Sequence, residues 1–106
     1  MGGEIVRAKG VDAVVVALCA DFSRRQAAIE ARCSPVRVDM EHRYLNFKIY
    51  EAVRRVCKSE DEAEILIEEI GTQTGYARSR TDDCELTYKR RKRRAMDAIA
   101  EALYLK

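Results

Sequence analysis

Asp82-Asp83-Cys84-Glu85-Leu86-Thr87-Tyr88-Lys89-Arg90-Arg91-Lys92-Arg93-Arg94-Ala95-Met96-Asp97-Ala98-Ile99-Ala100-Glu101-Ala102-Leu103-Tyr104-Leu105 is the stretch on which the fold turns. Its apolar residues recur at helical spacing. With Ile99 as the reference direction, Cys84, Tyr88, Ala95, Met96, Ala102 and Leu103 all lie within about 60° of it. Arg90, Arg93, Arg94, Asp97 and Glu101 point the other way. Lys89 and Arg91 flank the stripe. Lys92 falls on it and must extend its ammonium past the packed surface, or lie beyond the end of the packed core. Asp82 with Glu85 three residues later fits a capping box, so a helix is expected from Asp82 to about Leu105.

Lys89 to Arg94 are six consecutive cations, in a chain of net charge +2. Such a run repels itself along a helix at i,i+3 and i,i+4. A polyanion would offset the repulsion, since each phosphate contact releases counterions. Acids elsewhere in the fold could do the same, which would make the run a solvated helix face. A nuclear-localisation reading of the same letters is weaker.

The length of 106 residues suits one domain, residues 1–106. Charged residues make up 36%, but 47% hydrophobic residues argue against disorder. One proline and five glycines favour long helices over a sheet of many turns. The cysteines are Cys19, Cys33, Cys57 and Cys84, with no C-x-x-C pair and one histidine, His42. A metal site is therefore not expected. Three of the four thiols fall on apolar stripes, so buried free thiols in a reducing compartment are the default; the count alone also allows two disulfides. No segment is long enough to span a membrane. Ala13 to Ala20 loosely imitates a signal peptide but lacks a cleavage site, so a cytoplasmic protein is expected.

Upstream, Ser59-Glu60-Asp61-Glu62 is a capping box opening a helix on which Ala63, Leu66, Ile67, Ile70 and Thr74 share a face. Gly75, or else Gly71, is the expected stop. Six acids lie between Glu60 and Glu69. They read as a solvated face that partly complements the basic helix, with a catalytic or metal role the lesser alternative. Met1 to Gly10 is expected to be a flexible lead. A first helix is expected from Val11 to about Arg32, with Val11, Val14, Val15, Leu18, Phe22, Ile29 and Cys33 inward and Arg24 and Arg25 outward. Ser34-Pro35 interrupts the chain, and Val36-Arg37-Val38 could be extended. A second helix runs from about Asp39 to Cys57, with Met40, Tyr44, Phe47, Val53 and Val56 as its core stripe. The result is an all-α domain of four helices.

Gly75-Tyr76-Ala77-Arg78-Ser79-Arg80-Thr81 joins the acidic helix to the basic one with residue types that bind phosphates and base edges. Ile67-Glu68-Glu69-Ile70, Gly75-Tyr76-Ala77 and Thr87 to Leu103 together resemble the C-terminal part of phage transcriptional regulators of the ArpU family. That family is in turn similar to region 4 of bacterial sigma factors. The resemblance covers residues 60–105 and implies a helix-turn-helix-like half, in which the second helix enters the DNA major groove. It implies DNA contact for Thr87, Lys89, Arg90, Arg91 and Arg94. Arg93 joins them by position in the cationic run, and Arg78, Ser79 and Arg80 by charge and position. Two departures stand out. Ala77 replaces the usual serine, and Arg78 to Glu85 are inserted before Tyr88, where a tight motif has only a few residues.

The expected function is DNA binding without catalysis and without a cofactor, as a phage or prophage regulator acting on double-stranded DNA. No nucleophile–base pair or nucleotide-binding loop supports an enzyme. The alternatives are a small phage protein inhibiting a host nucleic-acid enzyme, of anti-CRISPR type, with Glu60–Glu69 imitating a phosphate track on a protein partner, or a phage packaging component. Homodimerisation is expected to use the long stripe of the first helix.

Overall fold

The structure is a computed structural model that describes residues 2–105, with side chains from Gly10 onward. Its elements are α1 (Gly2–Ala20), α2 (Phe22–Ala31), α3 (Val36–Val56), α4 (Glu60–Gly71) and α5 (Glu85–Ala102), with one 3-10 turn at Tyr76–Arg78. The fold is all-α, and no strand occurs among the described residues. The four expected helices are present, the first of them broken at Asp21. Gly2 to Gly10, expected as a flexible lead, continue the backbone of α1; their side chains, apart from Gly10, lie outside the described ones.

The break at Asp21 has a physical cause. Arg25, expected to face solvent, is buried at 3% exposure. Its guanidinium donates to the Leu18 carbonyl and to Asn46 Oδ1 of α3, the latter at 2.7 Å. Asn46 in turn donates to the Phe22 carbonyl at 3.1 Å. A helical carbonyl is thereby drawn to a side chain, and α2 is fastened to α3. Burial pulls the Arg25 pKa below its ordinary value. The hydrogen bonds are what make the buried charge tolerable. No buried side-chain nitrogen or oxygen among the described residues lacks a partner.

α3 begins three residues earlier than expected, because Pro35 occupies the N-cap position and Asp39 N–H donates to its carbonyl at 2.9 Å. Proline there loses no helical hydrogen bond. The inward face of α3 is Ile49, Ala52 and Val53, with Asn46. Met40, Tyr44 and Phe47, expected in the core, lie on the opposite side and are exposed. Cys19 and Cys57 are buried, Cys33 and Cys84 are exposed, and all four thiols are free. Desolvation raises Cys19 to about 12 and Cys57 to about 11.

The core gathers Val15 and Cys19 of α1, the inward face of α3, Ala63, Leu66, Ile67 and Ile70 of α4, and Tyr88, Ala95, Met96, Ile99 and Ala100 of α5. α5 packs mainly on α3, and α4 mainly on α1 and α3. Where α4 crosses α1, Gly71 meets main chain: a Cβ there would stand 2.6 Å from the Ala20 nitrogen. Backbone cannot swing aside as a side-chain tip can. α4 starts as expected, with Ser59 Oγ accepting from Glu62 N–H at 3.1 Å and Glu62 Oε1 accepting from Lys58 N–H. It stops by a Schellman arrangement with a residue other than the expected glycines at the left-handed position. Gln73 adopts φ 56°, Thr74 N–H donates to the Glu69 carbonyl at 2.9 Å, and Gln73 N–H to that of Ile70.

Two stability changes should follow. Gly71→Ala forces α1 and α4 apart and should cost about 2 kcal/mol, despite alanine's better helix propensity. Gln73→Gly relieves a left-handed backbone and should add about 1 kcal/mol. Chemical denaturation with unchanged m-value is the measurement; a neutral or stabilising Gly71→Ala would refute the close crossing.

Candidate nucleic-acid interface

The connection between α4 and α5 spans residues 72–84 and is held in shape by one buried carboxylate. Glu69 lies on α4 at 4% exposure. Its Oε1 accepts from Ser79 Oγ at 2.7 Å and from Tyr88 Oη at 2.9 Å; its Oε2 accepts from Arg80 N–H at 2.9 Å. The Arg80 guanidinium bonds Glu68 and lies 3.8 Å from Glu69. Burial pushes the Glu69 pKa up. The bonds from Ser79, Arg80 N–H and Tyr88, with the Arg80 charge, outweigh it, and the carboxyl is held below its ordinary value. Ser79 Oγ accepts from Thr81 N–H and Thr81 Oγ1 from Asp83 N–H, both at 3.1 Å. These side-chain turns keep residues 79–83 out of helix.

As a result α5 opens at Glu85 with Cys84 as N-cap, and the expected capping box from Asp82 does not form. Asp83 is used elsewhere. Its carboxylate bonds Arg91, whose Nε also lies 3.4 Å from Glu62 of α4. That hydrogen bond, with the charge behind it, holds Asp83 below the usual carboxylate range. Arg91 is only 12% exposed. Arg93 makes a two-pronged pair with Asp12 of α1, at 2.8 and 2.7 Å, and also reaches Asp97 at 2.9 Å. The same contact depresses Asp12. Lys92, expected to reach past the apolar stripe, donates to the Thr74 carbonyl at 2.9 Å, with its ammonium 5.9 Å from the centre of the Tyr88 ring.

The nine residues expected at the interface therefore divide. Ser79, Arg80, Arg91 and Arg93 are engaged by the protein's own acids. Lys89 is exposed and, among the described residues, paired only with exposed Glu85 one turn away, a contact that solvent and salt weaken. Arg78, Arg90 and Arg94 are exposed and form no ion pair with any described residue. Thr87, Arg90 and Arg94 follow one another at helical spacing and make a continuous outward line on α5. Thr87 Oγ1 touches Cys84 Sγ at 3.2 Å. Hydrogen bonding to Thr87 pulls the exposed Cys84 thiol below its usual pKa.

Glu62 and Glu69 were expected on a solvated acidic face that partly complements the basic helix; Glu69 is instead buried, and Asp12 was given no pairing at all. Glu62 and Glu69 lie within about 60° of Leu66 around α4, close enough to the buried face to have been noticed. Asp12 is 81 residues from Arg93, and nothing local signals that pair. Among the described residues no group of three or more His, Cys, Asp or Glu side chains is placed to hold a metal ion, and no helix is long and apolar enough to cross a membrane.

Acid should weaken this region in a defined direction. Glu69, Asp83 and Asp12 have folded pKa values below their unfolded ones. The stability they supply is complete above the ordinary carboxylate range, near pH 4, and is lost as pH falls through the lower folded values. Glu69→Gln keeps one acceptor oxygen and leaves Arg80 N–H short. It should lower stability at neutral pH by about 2 kcal/mol and flatten the acid dependence. Urea unfolding at neutral and acid pH tests this; an acid slope as steep as the parent's would count against Glu69 as the organising group.

The chain matches no family model, no curated protein and no solved structure.

Proposed function

We propose that the protein binds double-stranded DNA through the outward line of α5, without catalysing a reaction. The observation that carries this reading is the pairing pattern of the basic run. Arg91 and Arg93 are tied to acids and hold the helix in place, whereas Arg90 and Arg94 remain open one turn apart. Two guanidinium groups so spaced on a fixed helix suit phosphates or the O6 and N7 acceptors of guanine. Thr87 lies one turn before Arg90, and Lys89 and Arg78 add cations that solvent already reaches.

The order α4, connection, α5 agrees with a divergent helix-turn-helix in which α5 is the reading helix. Its turn is much longer than the tight form, and Glu69 takes over the fixing role that a short turn has elsewhere. The likeness of residues 60–105 to ArpU-type regulators supports the narrower reading of a phage or prophage regulator of transcription. A second reading rests on the outer face of α4. Glu60, Asp61 and Glu64 are exposed there and form no ion pair with a described residue, which suits docking on a basic protein partner.

Titration of labelled duplex at several salt concentrations separates the two. Replacing Arg90 and Arg94 by Ala should reduce the log–log salt slope by about 2, because two phosphate contacts vanish. Arg93→Ala should lower thermal stability more than it changes that slope. No duplex affinity at low salt, or an unaltered slope in the double variant, would remove the DNA reading; capture of a basic protein would then favour the second.

A further inference from the structure

We propose that the outward face of the first half of α3 is a two-fold interface between copies of this chain, the two α3 helices packing antiparallel. Val36, Met40, Tyr44 and Phe47 are 77%, 64%, 49% and 59% exposed. Their spacing places them within about 40° of Met40, one continuous stripe on a straight helix. The apolar surface left uncovered is on the order of 400 Å², the scale at which a patch marks an interaction site. The groove beside it is lined by Val36, Arg37, Met40, Glu41, Tyr44 and Leu45 and is almost wholly apolar.

The chemistry of the stripe favours a second copy as its occupant. In an antiparallel pair, a two-fold axis near residues 41–42 sets Met40 against Tyr44 of the copy and Val36 against Phe47 of the copy. One centre thus serves both apolar pairs. The same operation brings one flank of the stripe onto itself. That flank carries Asp39 and Arg43, already paired within the helix at 2.7 Å. Each Asp39 then meets Arg43 of the copy, and the two internal pairs merge into a four-charge network. Self-complementarity about one centre is what an isologous interface requires. With the charged flanks included, the footprint approaches the roughly 800 Å² per partner of a stable complex. This inference does not depend on DNA binding, because association is read without nucleic acid present.

The test is sedimentation of the full chain from micromolar to millimolar concentration, with reductant present because Cys33 and Cys84 are exposed. The parent should form dimers. Met40→Asp should raise the dimer dissociation constant by at least about 100-fold, since the change enters the interface twice, while circular dichroism of the dilute chain stays the same. Asp39→Arg should weaken association by about tenfold, and adding Arg43→Asp should restore it. A parent that is monomeric throughout, or dimers unaffected by Met40→Asp, would overturn the proposal. Failure of the second charge change to restore association would overturn the antiparallel register.

Discussion

The arrangement of the last third of the chain depends on a carboxylate withdrawn from water. Glu69 gives one oxygen to a serine and a tyrosine and the other to a main-chain amide, so the connection and α5 both converge on a single residue of α4. A buried carboxylate without those donors would be costly, and a connection of this length without an anchor would have many conformations. Each problem removes the other. The start of α5, and with it the direction in which its arginines point, follows from that agreement.

The cations of α5 are best understood as two populations that share one helix. Those on the flanks and the outer edge nearest other helices are tied to acids from α1, α4 and the connection, and they behave as cross-links. Those on the side furthest from the core, Arg90 and Arg94, form no ion pair with any described residue. Repulsion along the run is thereby relieved from within for one set, and left for an external anion in the other. Surface ion pairs are individually weak. Arg93 with Asp12 of α1 and Arg91 with Glu62 of α4 differ in that each joins elements distant in sequence, and each holds α5 against a separate neighbour.

Much of the helical layout was legible. The capping box at Ser59, the shared face of Ala63, Leu66, Ile67 and Ile70, and the stripe of Tyr88, Ala95, Met96 and Ile99 are local signals, and all three are observed. What was not legible is pairing over distance. Asp12 and Arg93 carry no mark of each other. Arg25 looked solvent-facing because charge was weighed without its partner Asn46, which comes from another helix. In α3 the aromatic and sulfur side chains outweighed Ile49 and Ala52 in the pattern, yet the smaller residues face inward. Of the candidate interface, the cationic run itself was readable. Which of its members are available was not, because that depends on acids brought in by the fold.

Gly71 touches no nucleic acid and lies in none of the charged clusters, yet it governs how near α1 can come to α4. Asp12 rides on α1. The same helix thus answers to two constraints at once: its C-terminal end is seated against a bare α-carbon, and eight residues earlier it presents the carboxylate that grips Arg93.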